Sequence, residues 1–148
     1  MCGAALESPA QIADRTAKGD KSLTERKRIP PLSSFEEEVG FTRALRVGDR
    51  IIVAGTTCDI IPPPDDAGAQ AGRIYEQIAD YIGQLGGTMA DVVRVRMFVT
   101  DIADADAVSA AFTKHLKATC PTGTLVAVTA LYHPAIKVEI EAEAVLGD

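Results

Sequence analysis

"KVEIEAEAV", residues 137–145, decides the fold, because its side chains sort onto two unlike faces. Successive residues of a strand point to opposite sides. Val138, Ile140, Ala142 and Ala144 therefore share one face, and Lys137, Glu139, Glu141 and Glu143 share the other. The apolar face needs a cover of helices. The opposite face carries three carboxylates in a row, and that is where chemistry is to be sought.

Working outward, "DVVRVRMFVTDI" (91–102) alternates in the same way. Val93, Val95, Met97 and Val99 point one way, and Arg94, Arg96, Phe98 and Thr100 the other. Between Lys117 and Lys137 no Asp, Glu, Lys or Arg occurs, and "CPTGTLVAVTAL" (120–131) holds a strand of about 124–131. Val126, Val128 and Ala130 fall on one face of it; Leu125, Ala127, Thr129 and Leu131 fall on the other. Both faces are apolar, so the strand is expected to be covered twice, most simply by a second subunit. Upstream, "FTRALRVGDRIIVAGTT" (41–57) reads as strands 41–47 and 50–56 turned at Gly48-Asp49. A helical stripe of Ile74, Ile78, Tyr81, Ile82 and Leu85 stops at Gly86-Gly87. A second helix starts near Asp104 or Asp106, buries Val108, Ala111, Phe112 and Leu116, and ends before Pro121. The order is β-β-α-β-α-β-β, with a further short strand near Lys27 to Ile29. Two helices on one face of a mixed sheet make an α+β domain.

The 148 residues suit one domain, residues 29–148, preceded by a mobile or surface-laid arm, residues 1–28. The arm lacks the apolar run of a signal peptide, and no stretch reads as a membrane span. Net charge is −6; the first thirty residues carry +2, so the remainder carries −8. That charge and the absence of Trp argue against a nucleic-acid partner. Three cysteines without a CxxC pair suit a reduced, cytoplasmic setting.

Glu139, Glu141 and Glu143 support two readings. One is an acid/base group made less acidic by crowding and partial burial. The plainer one is cross-strand ion pairing with Arg94 and Arg96. His115 reads as a helix-surface residue and His133 as a turn residue; neither has metal-ligand spacing, and no metal is expected. Cys58 and Cys120 read as small packing residues. The residues alone give a charged sheet face in an oligomeric α+β domain, and no reaction.

"RVGDRIIVAGTT", "IYEQIADYIGQLGGTMADVVRVRMFVTDIADADAV" and "KVEIEAEAV" resemble the Rid family of reactive-intermediate deaminases, over Ile29 to Val145. The resemblance implies a chorismate-mutase-like fold, assembled as a homotrimer whose sheets form an inner barrel. It also implies a ligand cleft between subunits and hydrolysis of small imines or enamines without a cofactor. Deaminating members carry an Arg two residues after the Pro that opens the penultimate strand, where it grips a substrate carboxylate. Here Pro121-Thr122-Gly123-Thr124 puts Gly123 at that position. Phe41 stands where an aromatic hydroxyl lines the neighbouring subunit's cleft. Glu139 falls on the cleft glutamate, Gly55 on the glycine facing the ligand, and Thr124 keeps a hydroxyl and a backbone N–H. Arg96, or Arg43, is the candidate replacement clamp.

The resulting expectation is a Rid-like hydrolase acting on a reactive imine, enamine or carbonyl metabolite by Glu-assisted proton transfer. It is not the ordinary 2-aminoacrylate deaminase. A cyclisation or condensation step on a larger intermediate, and a non-catalytic trimeric ligand binder, are the alternatives. RNA cleavage follows only from the family's endoribonuclease label, and the acidic core argues against it.

Overall fold

A computed structural model describes residues 8–11 and 25–147. Most of the arm, including Cys2, lies outside the described residues. The first strand, β1 (Arg26–Arg28), corresponds to the short strand anticipated near Lys27 to Ile29, and it pairs antiparallel with β2 (Ala44–Val47). A six-residue helix, α1 (Ser34–Val39), lies between them. The sequence reading had no helix there and began its first strand at 41. Phe41 and Arg43 instead belong to the link between α1 and β2.

The chain turns at Gly48-Asp49 into β3 (Arg50–Thr56), with Val47 opposite Arg50 and Gly48 in the left-handed region (φ 63°). Helix α2 (Ala67–Gln84) follows, its first turn capped by Asp66, which accepts from the Ala69 N–H at 2.6 Å. Its stripe is the expected one, and Ile74, Ile78 and Ile82 are fully buried. Each such side chain contributes about 1.5–3 kcal/mol by leaving water. Next come β4 (Val92–Val99), α3 (Ala105–Leu116), β5 (Thr122–Ala127) and β6 (Val138–Val145).

The strand order is β1-β2-β3-β6-β4-β5. Among the described strands only β4 and β5 are parallel neighbours, joined by the α3 crossover. Strand β6 sits centrally, antiparallel to β3 and to β4. Its alternation holds along its length: Val138, Ile140, Ala142 and Ala144 are buried in the core shared with α2, while the glutamates face the open side. This is the α+β layer arrangement read from the sequence.

Four details differ. A register shift between Val92 and Arg94 inserts one residue into β4, so Val92 turns into the core and Val93 outward. Strand β5 spans 122–127 rather than 124–131. Its ladder ends where β4 ends, with the Val128 N–H on the Val99 carbonyl at 2.8 Å. Asp104 flanks α3 without a side-chain cap bond; Asp101 accepts instead from the Ala103 N–H at 2.9 Å. Cys58 is buried, whereas Cys120 is exposed at a positive φ of 51° in the turn before β5.

Candidate functional site

The open face of β6 runs from Glu143 at one end to Glu139 at the other, and the three carboxylates are treated differently. Glu143 accepts from Arg50 Nη2 at 2.9 Å and from Arg94. Glu141 pairs with Arg96 Nε at 2.7 Å. Among the described residues, Glu139 has no Arg or Lys within ion-pair distance. Its cross-strand neighbour on β4 is Phe98, which is half-buried. The plain reading therefore accounts for two of the three glutamates and leaves one over.

On its other side Glu139 meets an irregularity in β3. A register shift between Val53 and Thr56 leaves Ala54 and Gly55 out of the ladder with β6, and the Ala54 N–H bonds the Arg43 carbonyl at 2.9 Å. The Glu139 carboxylate lies against Gly55. A Cβ there would overlap Oε1 and stand 3.0 Å from Cδ. Bare backbone thus lets the carboxyl fold onto the strand instead of projecting into water. Partial burial, helped by the charge of Glu141, pushes the Glu139 carboxyl above its ordinary range.

Arg96 faces the same side, opposite Thr124 of β5, with its Nε committed to Glu141. Gly123 does not join this group. It pairs with Val95, a core residue, and a Cβ on it would point to the Phe112 ring of α3 at 3.7 Å. Gly123 thus lies at the exposed sheet edge on the helix side, opposite to Glu139, with space beside it. Within one protomer Glu139 rests on Gly55, Arg96 and Thr124 share its side of the sheet, and Gly123 lies on the other.

Phe41 is partly exposed and packs edge-on to Phe35, with ring centroids 5.9 Å apart. The Arg43 guanidinium lies 5.9 Å from the Phe41 ring centre, and its Nε is held at 2.7 Å by the buried Glu36. Glu36 also accepts from the Leu32 N–H at 3.0 Å and from Ser33 Oγ at 3.3 Å. Tyr132, from the β5–β6 link, approaches Phe35 with a centroid distance of 6.1 Å. Sequence reasoning missed Phe35 and Tyr132, because only the tertiary fold joins them.

The histidines lie elsewhere. His115 stacks on the buried Tyr75 at 5.2 Å, and burial, with Lys114 alongside, lowers its pKa. His133 Nδ1 accepts from the Ala135 N–H at 3.1 Å. Among the described residues no group of three or more His, Cys, Asp or Glu is placed to hold a metal, and no helix is long and apolar enough to cross a membrane. The arrangement offers one acid/base group in a polar, partly apolar surround.

Known proteins resemble this chain throughout the domain. The family model described as endoribonuclease L-PSP matches residues 32–146. An uncharacterized protein of Streptomyces coelicolor is 32% identical over 124 residues, which cover 82% of this chain and 92% of that protein. A Mycobacterium tuberculosis member of the YjgF/YER057c/UK114 family is 39% identical, with a TM-score of 0.77 over 82% of this chain and 100% of that one. A Pseudomonas aeruginosa protein of unknown function is 28% identical, with a TM-score of 0.75 over 84% and 94%.

Proposed function

This chain belongs to the endoribonuclease L-PSP family, the Rid or YjgF family, and from that premise we propose that it hydrolyses a small reactive imine or enamine by proton transfer through Glu139. One observation carries the reading. Of three carboxylates on one strand face, Glu139 alone has no guanidinium partner among the described residues, and it is the one that burial makes reluctant to ionise. A structural ion-pair ladder has no use for such a residue. An acid/base catalyst does, because efficient proton transfer needs a pKa near the working pH.

The steps balance with this one group. Protonated Glu139 gives its proton to the imine nitrogen. As water attacks the carbon, the resulting carboxylate takes a proton from it, leaving a neutral carbinolamine. Glu139 then protonates the amine and next takes the hydroxyl proton. The C–N bond breaks as the carbonyl forms, ammonia leaves, and Glu139 ends protonated. The Arg96–Glu141 pair holds the charge beside Glu139 fixed, and Thr124 supplies a hydroxyl on the same face.

The active assembly in this proposal is a homotrimer with clefts between subunits. Strand β5 motivates it: an edge strand whose Val126 and Ala127 are exposed in one protomer, with Leu125 half-buried, has apolar surface on both faces to cover. Because Gly123 offers no guanidinium, substrates held by a carboxylate are disfavoured.

Glu139→Gln tests the mechanism. An imine is generated in situ by an amine or amino-acid oxidase, and release of the carbonyl product is followed. The variant is expected to lose about 10²–10⁴-fold in turnover. Unchanged turnover overturns the assignment.

A further inference from the structure

We infer that the Glu139 cleft takes planar aromatic imines that carry no carboxylate, the ring lying on a wall formed by Phe35, Phe41 and Tyr132. This rests on the Glu139 reading above and adds the substrate class.

Backbone contacts link the wall to the part of β3 on which Glu139 rests. The Arg43 guanidinium covers Phe41, and the Arg43 carbonyl holds the Ala54 N–H, one residue before the Gly55 backbone on which Glu139 rests. Tyr132 belongs to the link that runs directly into β6, where Glu139 is the second residue. The three rings form a continuous set, Phe41 edge-on to Phe35 and Phe35 tilted against Tyr132. They are not core. Phe35 is 44% exposed, Phe41 39% and Tyr132 90%. Exposed rings assembled from separate elements, tied through Arg43 and Ala54 to the strand on which Glu139 rests, make a surface for a flat, electron-poor group.

Charge excludes the carboxylate. Arg50 and Arg94 are engaged by Glu143, Arg96 by Glu141, and Arg43 by the buried Glu36. A substrate anion would have to share a guanidinium already neutralised by a glutamate. A protonated aromatic imine instead meets a carboxylate and π-faces, both favourable to a cation.

Benzamidine is a stable, planar probe of that cation; acetamidine lacks the ring and benzoate reverses the charge. Calorimetric titration of the full-length protein is expected to show benzamidine binding about tenfold tighter than acetamidine, with benzoate weaker than either. Tyr132→Ala, at a position too exposed to endanger folding, and Phe35→Ala should each remove most of the benzamidine advantage. Both should leave acetamidine binding and the sedimentation behaviour unchanged. Glu139→Gln should weaken both amidines alike. No preference for benzamidine, or a Tyr132→Ala variant that changes assembly instead of binding, overturns the inference. If benzamidine selectivity fails while Glu139→Gln still abolishes imine turnover, only the substrate class is lost. If selectivity holds and turnover ignores Glu139, the catalytic reading is lost and the aromatic wall stands.

Discussion

Glu143 and Glu139 sit on one face of one strand, four residues apart, and their surroundings diverge. Glu143 receives two arginines, Arg50 from β3 and Arg94 from β4. Glu139 receives a glycine from β3 and a phenylalanine from β4. The backbone is the same sheet in both places; the neighbours differ. At the Glu143 end they favour the charged carboxylate, and the result is a structural clamp. At the Glu139 end burial and the charge of Glu141 favour the neutral acid, and the carboxyl holds its proton above the ordinary glutamate range.

The sharpest way to break the comparison is to give Glu139 a neighbour with a side chain. A Cβ at Gly55 overlaps the carboxylate, but the overlapping atoms are the end of a flexible chain, so Gly55→Ala is expected to fold normally and push Glu139 toward solvent. Misplacement of a catalytic group by about 1 Å costs on the order of 100-fold in rate. Turnover should fall by about that factor while the melting temperature stays within a few degrees. Full activity in the alanine variant would show that the packing on Gly55 does not position the carboxyl.

The two ends also predict opposite pH signs. Burial opposes ionisation of Glu143, but the bonds from Arg94 and Arg50 outweigh it and hold its pKa below the ordinary glutamate value of 4.5. Its stabilisation is therefore complete above that value and is lost as pH falls through the lowered pKa. Burial raises the pKa of Glu139, so the stability linked to its neutral form is complete below 4.5 and is lost as pH rises through the raised value. At pH 7, Glu143→Gln should destabilise by about 1 kcal/mol, the upper range for a cross-strand pair. Glu139→Gln should be neutral or stabilising. Both differences should close as the solution is acidified, as followed by denaturant titration at several pH values. Parallel behaviour of the two variants would erase the distinction between clamp and catalyst.

How far this contrast could be read from the sequence follows from period and parity. Period-2 alternation placed all the β6 side chains correctly, and the 3.6-residue stripe of α2 was equally plain, because each pattern repeats over many residues. A one-residue insertion leaves no mark in composition, yet it reverses every face beyond it. That is why the alternation groups Val93 with Val95, and why the Ala54–Gly55 irregularity leaves no trace in the sequence. Helix α1 is too short, with Glu36-Glu37-Glu38 in its middle, to show a stripe. Resemblance supplied Glu139, Gly55 and Gly123 as positions but could not say which face of one protomer each occupies. The pairing of Phe35 with Tyr132 depends wholly on tertiary structure.

Gly123 gives the smallest expected change in stability and the most direct test of a shared site. It lies on an edge strand, with only ordinary contact to Phe112 around its missing Cβ, so Gly123→Arg should change stability by about 0.5 kcal/mol or less. In one protomer an arginine there leaves the sheet on the helix side, away from Glu139. It can serve Glu139 chemistry only if a neighbouring copy presents its own carboxylate to that edge. The substitution should therefore create turnover of carboxylate-bearing imines such as that derived from 2-aminoacrylate. The double variant Gly123→Arg/Glu139→Gln should be inactive alone and regain this activity when co-assembled with unmodified subunits, arginine coming from one chain and glutamate from another. Recovery on mixing places positions 123 and 139 across an interface. Turnover by the single variant without such recovery would put both in one chain and remove the inter-subunit cleft from the proposal.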